Sequence, residues 1–170
     1  MKTLKNCSLI ALLVTAISLN TFAGGLGRGG NRAPFSSSIG GRIEINDGDL
    51  YTGPTFKHYF GSNVNYELMT LTNFDDGIEF YGLIQYSGSL PDCPPTLRYI
   101  LGGGGNIGSW NGYNDPFVFG LTGIIGMEYT FEQIPLTLQG DWKPILNLYT
   151  EKNDRFWGIK FGVTARYVLK

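Results

Sequence analysis

The sequence predicts an all-β protein: an eight-stranded antiparallel transmembrane β-barrel, an up-and-down meander with short loops and a polar, plugged interior. Three observations predict it. Eight segments after residue 38 alternate apolar and polar side chains with period two, the repeat of a strand with two unlike faces. Every Lys, Arg, Asp and Glu inside them falls on the polar parity, if the terminal Lys170 is counted there too. The apolar parity is broad and rich in aromatics, as an outer wall in lipid requires.

Residues 1–23 stand outside this pattern. Lys2 and Lys5 precede an apolar run from Leu9 to Leu19, and Thr21-Phe22-Ala23 offers small residues for cleavage, so this stretch reads as a secretory signal peptide too short to span a membrane. Cys7 would leave with it, and Cys93 would have no intramolecular partner. Residues 24–37, opening on Gly24 to Asn31, read as a flexible lead-in, and 38–170 as the barrel. A net charge of −1 on 170 residues, with no basic face, supports one domain and no nucleic-acid partner.

The eighth segment is the clearest. Trp157, Ile159, Phe161, Val163, Ala165, Tyr167 and Leu169 share one parity, opposite Gly158, Lys160, Gly162, Thr164 and Arg166. The seventh sets Leu136, Leu138, Trp142, Leu146 and Leu148 against Gln139, Asp141 and Lys143, and the sixth sets Phe117, Phe119, Leu121, Ile125, Met127 and Tyr129 against Thr122 and Glu128. The fifth carries Arg98, the fourth Glu79, the third Asn65 and Glu67, and the two weaker first segments (near 38–46 and 53–60) Arg42, Glu44 and Lys57.

Aromatic spacing tests the membrane reading. Phe119 and Tyr129 lie ten residues apart on the outward parity, as do Trp157 and Tyr167. At about 3.3 Å per residue and a tilt of about 45°, ten residues rise roughly 23 Å, close to the apolar band of a barrel. With Trp142, these residues form the expected aromatic girdle.

Eight strands leave room inside only for side chains. The inward charges are Arg42, Lys57, Arg98, Lys143, Lys160 and Arg166 against Glu44, Glu67, Glu79, Glu128 and Asp141. Six bases and five acids nearly balance, as burial demands of charges that must pair, and inward glycines (Gly102, Gly104, Gly120, Gly126, Gly158, Gly162) leave space for long side chains. With the N-terminus periplasmic, the turns at Gly61-Ser62, Ser87–Pro95 and Glu132–Pro135 share that side. Short loops at Asn46–Tyr51, Asn73–Asp76, Trp110–Pro116 and Thr150–Arg155 then face outward.

The run Gly120-Leu121-Thr122-Gly123-Ile124-Ile125-Gly126-Met127-Glu128-Tyr129, with Ile134-Pro135-Leu136, Asp141-Trp142-Lys143-Pro144 and Asn147-Leu148, resembles the closing strands of the OmpX/OmpA-like small outer-membrane barrels of Gram-negative bacteria. The resemblance covers about 38–170 and implies an architecture and an outer-membrane location rather than a reaction. It implies outer-membrane lipid, lipopolysaccharide and the outer-membrane assembly machinery as partners. Such barrels usually finish on an aromatic residue, whereas this chain ends Val168-Leu169-Lys170.

No catalytic, cofactor or metal site is assigned. Gly103-x-Gly105-x-x-Gly108 has dinucleotide spacing but no helix to follow it. His58, the only histidine, is on the outward parity near the periplasmic end with no serine on its own strand face; a Ser or acid within reach would favour a lipid-modifying barrel enzyme. Asp47-Gly48-Asp49 and Asp75-Asp76 read as solvated turns, Asp141 and Lys143 as an interior ion pair, and Cys93 as an isolated thiol. Pro144 removes a ladder donor and suggests a bulge, or the strand passing above the membrane. A soluble exported β-sandwich binding protein is the remaining alternative.

Overall fold

The computed structural model describes residues 33–46, 48–74, 77–110, 117–149 and 158–169. The leader, most of the lead-in, Asp47, Asp75, Asp76, Trp157 and Lys170 lie outside the described residues. Eight strands follow one another: β1 (Ser37–Asn46), β2 (Asp49–Tyr59), β3 (Val64–Thr72), β4 (Gly77–Ser89), β5 (Leu97–Trp110), β6 (Phe117–Thr130), β7 (Leu136–Tyr149) and β8 (Gly158–Leu169). Each pairs antiparallel with the next, and β1 closes on β8 from Ser37↔Leu169 to Asn46↔Lys160, so the sheet is a closed barrel in meander order. Closure leaves no open edge, the condition for crossing lipid with strands.

Both described ends of the chain lie at one rim, the terminus end; the β1–β2 and β3–β4 hairpins turn at the other, the hairpin end. The β1–β2 hairpin is tighter than the expected Asn46–Tyr51 loop. Asn46 pairs with Asp49, and Gly48, just before it, has φ 96°. Asp-Gly suits a two-residue hairpin because its backbone needs positive φ, and the short turn puts Leu50 and Tyr51 in β2.

The two faces are chemically opposite. Ile43 (56 % exposed), Ile84 (63 %), Phe161 (61 %) and Val163 (63 %) point away from the barrel, while all eleven expected inward charges are buried. An apolar outer wall around buried charges inverts a soluble protein and fits a hydrocarbon solvent.

Prolines interrupt the ladders. The β2–β3 register lapses between Thr52↔Thr72 and Thr55↔Met69, around Pro54. The β6–β7 register lapses between Thr122↔Ile145 and Ile125↔Trp142, around Pro144, and resumes without a shift. Pro144 thus makes a gap and not a bulge, because it lacks only the donor. The bulge comes further along β7, where Gly120 pairs with Asn147 but Phe119 with Tyr149.

Inward glycines mostly serve close strand approach rather than room for cations. A Cβ on Gly102, Gly104, Gly120 or Gly126 would meet a carbonyl of the neighbouring strand, since a narrow barrel crowds its inward positions. Gly162 is different: a Cβ there would run into the Arg42 guanidinium.

Candidate functional site: the charged lumen

Strand parity aims eleven charged side chains into one narrow space, and register decides which of them meet. Toward the hairpin end, Arg42 from β1 grips Asp141 of β7 with two bonds (2.7 and 2.6 Å) and donates to Glu44 through Nε (2.8 Å). Lys143 Nζ lies 2.8 Å from Glu44 and 3.7 Å from the ring centroid of Tyr81. Lys160 crosses from β8 to Glu79 of β4 (2.7 Å) and donates to Tyr81 Oη (2.9 Å), which itself donates to Glu79.

Toward the terminus end, Arg166 of β8 pairs with Glu67 of β3 and lies 3.5 Å from Glu128 of β6. Lys57 donates to Glu128 (2.7 Å) and to Gln139 Oε1 (2.7 Å). The amide nitrogen of Gln139 donates to Asp141 (2.8 Å), so one neutral side chain joins the two clusters. The chelate geometry of Arg42 and the many charge-assisted bonds are what allow ions to be buried at tolerable cost.

Each of the five buried acids is ion-paired, using Arg42, Lys57, Lys143, Lys160 and Arg166. Arg98 is the surplus base. It makes no ion pair among the described residues and donates to the carbonyls of Ser62 (3.2 Å) and Ser87 (2.7 Å). Glu128 meets Lys57 and Arg166; Lys143, at the other cluster, goes to Glu44. The expected Asp141–Lys143 pair is replaced by Arg42–Asp141, while Lys143 goes to Glu44 on β1.

Two interior features escaped the sequence reading. The inward wall is partly apolar, with Tyr51, Met69, Leu71, Tyr81, Leu83, Ile124 and Ile145 in one buried cluster. Period two contained the signal: Met69 and Leu71 share the parity of Glu67. The end of the lead-in is also ordered. Phe35 is buried edge-on against Tyr59 (centroids 5.1 Å apart), and Ser36 O accepts from Tyr59 N (2.9 Å). Tyr59 Oη in turn reaches Ser87 and Glu128 (3.0 Å each), so Phe35 joins the terminus end of the lumen.

Of the girdle residues, Phe119 stacks on Tyr149 near the hairpin end, Tyr129 packs edge-on with Phe131 at the terminus end, and Tyr167 is exposed opposite Leu136. Trp142 does not join either band. Its cross-strand partners are Ile125 and Phe161, halfway along β7.

His58 does have a serine. Ser37 of β1 stands opposite it, with Oγ 2.8 Å from Nδ1. The neighbouring strand supplied what the His58 face lacked. Nucleophilic catalysis also needs an oriented base and donors for an oxyanion. Glu44, Glu67, Glu79, Glu128 and Asp141 are all inside the wall, away from the imidazole. Ser37 is paired with His58 and Leu169, and His58 with Ser37 and Tyr66, so their backbones sit inside ladders rather than forming an oxyanion hole.

No family model matches the chain, and no curated protein matches its sequence. Solved structures do match its fold. The N-terminal β-barrel domain of Pseudomonas aeruginosa OprF is similar with a TM-score of 0.58 and 13 % identity, over 77 % of this chain and 96 % of that one. Neisserial surface protein A is similar with a TM-score of 0.51 and 11 % identity, over 78 % and 94 %. At such identities the likeness is one of fold: the eight-stranded membrane barrel that the alternation predicts.

Proposed function

We propose that this chain is an integral outer-membrane barrel with a structural or interaction role, not an enzyme, and that its lumen is closed to ions. The observation that carries the reading is the pairing across the lumen: five acids are matched to bases, with Arg42–Asp141, Lys57–Glu128, Lys160–Glu79 and Arg166–Glu67 each joining different strands. Side chains held at both ends fill the small interior of an eight-stranded barrel and leave no wet path. Phe35 and Arg98 add cover at the terminus end, which faces the periplasm in this reading. Membrane lipid lies against the apolar wall, with lipopolysaccharide at the hairpin end, and the outer-membrane assembly machinery inserts the barrel.

Planar-bilayer recording on the purified monomer tests closure. Negligible conductance is expected. Steady ohmic channels would overturn the plugged lumen and reopen a porin role.

A further inference from the structure

The Ser37–His58 pair lies one pleat repeat, on the terminus side, from Ile39 and Phe56, two residues that line a groove on the outer wall. Along β1–β4, the outward residues beside the pair are Tyr66 and Ile84; the next level is Ile39, Phe56, Leu68 and Gly82, then Gly41, Pro54, Thr70 and Phe80. Ile39, Pro54, Phe56, Leu68, Thr70 and Phe80 line a groove of about 370 Å³. Its origin is legible in the chain. Gly41 opposite Pro54 and Gly82 opposite Leu68 put no side chain on the wall, and Pro54 breaks the β2–β3 ladder.

The polar pair is on the terminus side of this groove, amid Tyr66 and Phe60, whose rings are 6.2 Å apart; aromatics gather at headgroup level. His58 lies 5.5 Å from the Tyr66 ring. The pair offers one outward donor in either tautomer. If Ser37 O–H donates to Nδ1, Nε2–H points away; if Nδ1–H donates to Oγ, the hydroxyl hydrogen is released. A donor at the interface with an apolar channel running from it into the membrane is complementary to a lipid, whose acceptor oxygens adjoin its acyl chains.

We propose that this face binds one glycerophospholipid of the leaflet at the terminus end, with an acceptor oxygen of its glycerol–phosphate region on the Ser37–His58 pair and an acyl chain in the Ile39–Phe80 groove. The site rests on the membrane-barrel reading above but not on the closed lumen. With no oxyanion donors beside the pair among the described residues and the strand carboxylates inside, the pair is assigned to holding the lipid and not to cleaving it.

Native mass spectrometry of the full chain, released from detergent with dioleoyl phosphatidylethanolamine or with oleic acid, tests this. One phospholipid retained per barrel is expected, with oleic acid held more weakly. Ser37→Ala/His58→Phe should raise the phospholipid Kd, read from occupancy across a lipid titration, about fivefold, the worth of one net hydrogen bond, and leave that for oleic acid unchanged. Thr70→Trp, which fills the groove, should raise both. Heat-modifiability on a gel shows that each variant is folded, and conductance of the same samples reports separately on the lumen. Three results would overturn the site: occupancy unchanged in both variants, oleic acid bound as tightly as phospholipid, or fatty acid released by the parent protein and not by Ser37→Ala.

Discussion

Truncating Glu128 probes the lumen most directly. Glu128 is fully buried and accepts from Lys57 Nζ (2.7 Å) and Tyr59 Oη (3.0 Å), with Arg166 at 3.5 Å. Lys57, Arg166, Glu67 and Glu128 form a group of zero net charge, and Glu128→Ala leaves it at +1. Breaking a buried pair from one side costs about 3–5 kcal/mol. The lower end applies here, since no donor is stranded: Lys57 keeps Gln139 Oε1 (2.7 Å), Arg166 keeps Glu67 and Gln139 Oε1 (2.9 Å), and Tyr59 keeps Ser87 (3.0 Å). The expected loss is therefore about 3 kcal/mol. Glu128→Gln keeps an acceptor and should lose about half of that, because neutral bonds are roughly half as strong as charge-assisted ones. Lys57→Met/Glu128→Leu removes the pair together and should recover most of the stability, since apolar groups of similar volume replace buried pairs at little cost. Urea unfolding in lipid vesicles, followed by tryptophan fluorescence, gives all three values. A Glu128→Ala loss below about 1 kcal/mol, or a double variant no better than the single, would refute the coupled-charge account.

Val163→Arg places a charge on the outer wall opposite Ile43 and Gly140 and should cost about 2–4 kcal/mol in the same vesicle assay; unchanged stability would mean that this face does not meet lipid. Gly162→Leu drives a side chain into the Arg42 guanidinium and should cost about 1–3 kcal/mol, with no loss arguing against a filled lumen at that level. Gly48→Ala forces a Cβ onto a φ of 96°, and a loss of about 1 kcal/mol in urea unfolding is expected; a neutral result would show the turn adopting another conformation.

The sequence by itself determined which way each strand residue faces. Alternation is a local property: the pleat sends neighbours to opposite sides whatever the partner strand is. Charge on one parity therefore placed Arg42, Glu67, Glu128 and Arg166 inside before any pairing was known, and the solvent for which the outer wall is built followed. Partnership is not local. Lys57 and Glu128 are 71 residues apart and Arg42 and Asp141 are 99, and only closure of β8 on β1 with a fixed register brings each pair together. The register sets Arg98 opposite Glu128, yet its guanidinium goes to the carbonyls of Ser62 and Ser87; the same register put Trp142 halfway along its strand and set Ser37 against His58, 21 residues away on the next strand. Nor could alternation reveal the outer groove, which needs Gly41, Pro54 and Gly82 from three strands to fall around one patch of wall. Parity is written residue by residue, whereas adjacency is created by the hydrogen-bond ladder and by the curvature of a barrel with only eight strands.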